Sequence, residues 1–169
     1  MLAAGPGHSD SLEVELARII ESRRREVLGR WKELVRTLSD ARHLSEPSLE
    51  NHVPELLDWL AHRLRTRGGA DVMEGQELSR VHAFERLDAD FDLVTLLAEL
   101  GALRDVLLGL WVEEPGQVSP REVHQLNQDL DEVVTICVTD FTRRLLARHG
   151  ASTRATGSEG GLAGDARGG

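Results

Sequence analysis

Seven histidines and one cysteine, Cys137, are the residues of this 169-residue chain best suited to hold a metal or to act as a nucleophile. A di-iron helical bundle needs Glu-x-x-His pairs projecting into its core. No histidine here has Glu three residues before it, and no two histidines stand three or four apart. The spacing for a bundle metal site is missing, so no metal and no other cofactor is expected. Haem asks for less, since one proximal His can hold the iron. His82 is the candidate, because it shares a helical stripe with Leu78, Val81 and Glu85 and is expected to be half buried. The plainer reading of His82 is a histidine hydrogen-bonded within a helix interface. Cys137 falls in the middle of an apolar stripe, where a thiol is inert packing. No Gly-Lys-Ser/Thr occurs, and no glycine-rich loop follows a strand. His124, in EVHQLNQDLDE, lacks a phosphoacceptor sequence of the His-Glu-Leu-Arg-x-Pro type, and no ATP-binding region follows it. No catalytic residue is expected, and an enzyme is the weakest reading.

A different chemistry is suggested by charge placed among apolar residues. On the helix that ends at Leu110-Trp111, Arg104 falls between Leu93, Leu97, Leu100, Leu107 and Trp111. A guanidinium inside an apolar face needs a carboxylate or carbonyl partner. Glu99 lies about 140° away on the same helix, so that partner comes from another helix, with Glu85 a candidate. Glu99 in turn could meet His82 or Arg86. The expected polar cluster is therefore His82, Glu85, Arg86, Glu99 and Arg104. The alternative for Arg104 is a stem lying on the core with its head in water.

The elements that must position these residues read as helices throughout. Asp10 with Glu13 opens a first helix whose apolar positions, from Leu12 through Trp31 to Leu38, run to about Ser39. At roughly 30 residues it would be about 45 Å long. Its apolar arc is wider than one core stripe, which suggests a second packing surface. Ser45-Glu46-Pro47 opens the next helical region, and Pro54 kinks or restarts it. Val53, Leu56, Leu57, Leu60 and Leu64 form its stripe, His62 faces water, and Gly68-Gly69 stop it. Residues 70–76 read as a linker and Glu77 to Leu87 as a short third helix. Asp88, Asp90 and Asp92 make a turn and cap the fourth helix, which runs to about Glu113 before Pro115-Gly116. Ser119-Pro120-Arg121-Glu122 starts the fifth, expected to end at His149-Gly150 with Arg143, Arg144 and Arg148 at its negative end. Residues 1–9 and 150–169 are expected to be disordered tails around a single helical domain at 10–149. The fold class is all-α, about five helices in a bundle with long first and last members.

A net charge of −9 with no basic block excludes nucleic acid and disfavours an anionic membrane surface. No apolar run approaches the ~20 residues of a membrane span, and no secretory signal is visible, so a cytoplasmic location is expected.

His82-Ala83-x-x-Arg86, Phe91-Asp92-Leu93, Glu99, Leu103-Arg104 and Leu110-Trp111 together resemble the amino-terminal domain of RsbRD-type RsbT co-antagonist proteins. A similar domain precedes some bacterial sensor histidine kinases. Trp31, the run Val53-Pro54-Glu55-Leu56-Leu57-Asp58 and Asp131-Glu132-Val133 extend the likeness over about Leu12 to Arg148. Two positions depart from it: Leu100 stands where an aromatic is frequent, and Asp90 where Gly is frequent. The resemblance implies a non-catalytic sensory or interaction domain, globin-like without haem, that pairs as a homodimer. Its implied setting is stress-response or two-component signalling, with a kinase or an anti-sigma-pathway component as partner. The rival expectation is a globin-like haem or small-ligand sensor using a pocket near His82.

Overall fold

The computed structural model describes residues 15–38, 40–66, 72–113 and 118–158, with side chains described as far as residue 150. Among these residues every regular element is a helix and none is a strand. Six helices have eight residues or more: α1 (Glu15–Ser22), α2 (Arg24–Val35), α4 (Val53–Arg65), α5 (Val72–Asp88), α6 (Leu93–Glu113) and α7 (Pro120–Ser158). A five-residue α3 (Glu46–Glu50) and a 3-10 turn at Asp40–His43 link α2 to α4. The expectations for Asp10, Gly68-Gly69, Pro115-Gly116, residues 1–9 and 159–169 lie outside the described residues.

The long first helix is a correction. It breaks at Arg23, whose φ and ψ of −104° and 15° leave the helical region. Ser22 hydroxyl donates to the Ile19 carbonyl at 3.2 Å, a back-bond of the kind that bends helices. The break lets the halves serve different neighbours. α1 lays Leu16, Ala17, Ile19 and Ile20 mainly on α4, while α2 lays Val27, Trp31 and Val35 mainly on α6. Most of the wide apolar arc is thus used inside the chain, with Leu34 left 45% exposed. Trp31 and Val35 are both buried.

Local chemistry sets the other boundaries. The Ser45 hydroxyl caps α3 by accepting from Ser48 N–H at 3.3 Å. Asn51 then turns with a φ of 44°, and Pro54 stands in the first turn of α4. The α4 stripe is buried as its spacing predicts, with His62 exposed. α5 is longer than expected, because Val72 to Gln76 are helical rather than linker. Gly75 is there for closeness: a Cβ on it would stand 2.2 Å from the Trp59 indole of α4. α5 ends in a Schellman motif, with Phe91 N–H on the Arg86 carbonyl and Asp90 N–H on that of Leu87. Asp90 holds the left-handed position, φ 59°, which explains why a glycine suits this place. Asp92 caps α6 through Thr95 N–H at 2.6 Å.

α7 opens with a reciprocal capping box. Ser119 N–H donates to Glu122 Oε2 at 2.7 Å, and Glu122 N–H donates to the Ser119 hydroxyl at 3.3 Å. Glu122 Oε1 also accepts from Leu16 N–H at 3.0 Å, capping α1 as well. α7 passes Gly150 and stays helical to Ser158, so the expected boundary is corrected there too; one glycine costs only about 1 kcal/mol in a helix. Arg143 and Arg144 therefore serve Asp140 on their own helix rather than a helix end. Arg148 reaches the end of α5 instead, donating to the Leu87 carbonyl at 3.0 Å. α5 and α6 both pack on α7, and this places the polar side chains of α5 and α6 against each other in the core.

Candidate functional site

His82 and Arg86 are one turn apart on α5, so both point the same way. They meet Glu99 from the second turn of α6. The Arg86–Glu99 pair is closed to water, each side chain 1% exposed. Arg86 Nε donates to both carboxylate oxygens at 3.0 and 2.8 Å, and Nη2 donates to Oε1 at 2.6 Å. The remaining donors go to α3: Nη1 to the Ser48 carbonyl at 2.8 Å and Nη2 to that of Leu49 at 2.6 Å. One guanidinium thus joins α5 to α6 and finishes the C-terminal end of α3, whose carbonyls lack partners within their own helix. Phe91 lies over it at 5.2 Å, and the Trp31 indole of α2 donates to the Glu99 carbonyl at 3.3 Å.

His82 is more deeply buried than the expected half, at 3%. Its Nε2 is 3.4 Å from Glu99 Oε2, close enough for charge attraction but long for a hydrogen bond. Neither ring nitrogen has a hydrogen-bond partner, so the hydrogen-bonded interface histidine of the plainer reading is corrected. Burial alone would raise the Glu99 carboxyl, but His82 and Arg86 beside it outweigh burial and hold it below the ordinary carboxylate range. Cys137 is the buried thiol its stripe predicts; its Sγ donates to the Ser79 carbonyl at 3.2 Å, and burial pushes it up to about 12.

The other two expected members stand apart. Glu85 is on the surface, its Oε1 3.5 Å from His52 Nε2. Arg104 pairs with Asp131 of α7, not with Glu85, and the two side chains are 32% and 67% exposed. Of the two readings of Arg104, the buried cluster is overturned and the exposed head fits, with a partner from another helix that is Asp131. The stripe of Leu97, Arg104 and Trp111 faces outward, and the buried one carries Leu96, Glu99, Leu103, Val106 and Leu110. α6 is apolar on every side, so its sequence does not single out the core face.

A second buried pair was missed. Arg63 of α4 donates to Asp129 Oδ1 of α7 from Nε at 3.0 Å and Nη2 at 2.6 Å, with Glu132 at 3.4 Å. Gln125 also donates to that oxygen at 3.1 Å, while Asp129 Oδ2 is buried without a partner. The signal was present: Arg63 shares the stripe of Leu56 and Leu60, the same criterion that picked Arg104.

A cleft of about 570 Å³ opens beside Arg86, lined among others by Ser48, Asn51, His52, Glu55, Glu85 and Asp88. His82 is not among its lining residues. Among the described residues no group of three or more His, Cys, Asp or Glu is arranged to hold a metal, and no helix is long and apolar enough to cross a membrane. No protein-family model matches the chain, and no curated protein matches it.

Proposed function

We propose that the chain is a non-catalytic helical regulatory domain of bacterial stress-response or two-component signalling, working in the cytoplasm by contact with other proteins, the first of them a second copy of itself. The observation that carries this reading is the outer face of α6. A helix that is apolar all round belongs in an interior. α6 is so, yet it leaves Val94 and Val112 each 73% exposed, with Leu97 at 40% and Trp111 at 38%. Gly101 and Gly109 lie on the same helix with nothing within 4 Å of where a Cβ would be, so a neighbour can come close. The face suits its own copy. Packed antiparallel about a twofold at the level of residue 103, the Val94–Leu97 end of one helix meets the Trp111–Val112 end of the other. This pairing of one apolar end with the other is the self-complementarity an isologous interface needs.

Two further features fit. The residues that carry the resemblance to RsbRD-type domains include His82, Arg86 and Glu99, which meet in one buried cluster, with Phe91 stacked on it. α7 continues past Arg148, its contact with α5, to Ser158, so a shift of helix packing has a rigid element to travel along. The rival haem or small-ligand reading rests on His82, which is enclosed against Glu99; a Soret band in protein made with haem supply would favour it.

Sedimentation at micromolar concentration is expected to give twice the 18.7 kDa monomer mass, and Val112→Glu is expected to give a monomer of unchanged helix content. A wild-type monomer at high concentration would sink the self-contact.

A further inference from the structure

His82 is a buried ionisable side chain with both ring nitrogens unpartnered. Its Nε2 stops 3.4 Å from Glu99 Oε2, an oxygen that takes one hydrogen bond from Arg86, at 2.8 Å, and has room for a second. Imidazole is also the side chain whose ordinary titration falls between pH 5 and 8. The neutral ring donates from one nitrogen and the cation from both.

We propose that His82 is a proton-operated release for the clamp by which Arg86 holds the end of α3. A proton taken from water by His82 places a second cation beside Arg86 against the single carboxylate of Glu99. Two cations sharing one buried carboxylate repel each other, and the low dielectric of the interior strengthens that repulsion. The His82 ring is enclosed, so it advances on Glu99 Oε2. Arg86 is the member with a way out, because it also lines the 570 Å³ cleft. Glu55, Glu85 and Asp88 line the same cleft and give the displaced guanidinium an acidic destination. Its departure removes the donors from the Ser48 and Leu49 carbonyls, so the C-terminal turn of α3 is loosened, while Lys32 stays on Glu46 and Glu50 and the core beyond α3 stays packed.

The surrounding groups leave this role to His82. α6 supplies Glu99 and α5 supplies Arg86. α7 brings Cys137 within electrostatic range of Glu99, and Asp140 within range of Cys137. The thiol stays neutral at any of these pH values. Burial works against the Asp140 charge, but Arg144 and Arg143 outweigh it and keep the group ionised. α2 offers the neutral Trp31 indole, α3 offers carbonyls, and the buried charge of α4, Arg63, is engaged by Asp129. His52, near Glu85, and His43, three residues before α3, are the other imidazoles close to α3 and have to be separated by experiment.

The test is amide hydrogen exchange over residues 46–51, corrected for the intrinsic pH dependence, at pH 8 and pH 5.5. In the wild-type protein, opening of α3 is expected to rise tenfold or more at the lower pH, with residues 130–141 of α7 unchanged. His52→Gln should keep this response and His82→Gln should abolish it. Should His82→Gln not fold, His82→Phe is read in its place. The wild-type His82 ring is followed by nitrogen NMR in either case, and it should gain its second proton over the range in which α3 opens. A pH-independent α3, a response that survives removal of the His82 imidazole or disappears in His52→Gln, equal opening of α7, or a His82 ring still neutral when α3 opens would each overturn the proposal.

Discussion

Arg86–Glu99 and Arg63–Asp129 are both buried arginine–carboxylate pairs between helices, the first joining neighbouring α5 and α6 and the second α4 and α7, yet they are finished differently. Arg86 spreads its donors over both oxygens of Glu99 and two carbonyls of α3. Arg63 and Gln125 both lean on a single oxygen of Asp129 and leave the other bare, with Glu132 near as a second anion. Arg86 therefore organises three helices. Arg63 fastens α4 to α7 and has a fallback. The worth of a buried ion pair depends on how completely its desolvated atoms are satisfied, not on burial alone.

The largest effect is expected from Arg86→Ala, a loss of about 3–5 kcal/mol, because Glu99 loses its hydrogen-bonded charge partner and keeps only His82, 3.4 Å away, in the core. Urea denaturation measures it, and a loss under ~1 kcal/mol would remove the distinction between the two pairs. The same variant should change the acid limb of stability. Glu99 is held low in the folded protein, so its contribution is present above the unfolded carboxyl value, about 4.3, and is lost as pH falls through the lower folded value. Without Arg86 burial is opposed by one cation fewer, so that acid-side loss should be smaller. Asp129→Asn should cost less, about 1.5–3 kcal/mol, since Arg63 keeps an amide oxygen and can turn to Glu132. A larger loss than that of Arg86→Ala would invert the comparison. Arg104→Ala should cost within ~1 kcal/mol by the same measurement, because its pair with Asp131 is exposed.

Where local chemistry decides, the sequence was legible. The Ser119–Glu122 box, the Asp92 cap and the α4 stripe each follow from a few neighbouring residues. The meeting of Glu99 with His82 and Arg86 was legible as well, because α5 and α6 are joined by a short turn. The two readings of Arg104 stayed open for a physical reason: on a helix that is apolar all round, no spacing distinguishes the core face from the outer one. The break at Arg23 follows from which helices α1 and α2 pack on, a long-range matter invisible in the run of residues itself. Arg63 needed only the stripe criterion, but its partner lies 66 residues away.

The outer face of α6 is where the account is most exposed to test. Cys137 is the sole native cysteine and is buried, so one thiol added at Gly101 can report on that face alone. With a short bismaleimide, Gly101→Cys is expected to give a covalent dimer at micromolar concentration, and His62→Cys on the exposed side of α4 is expected to give none. Equal linking at both positions, or none at Gly101, would contradict self-association through α6.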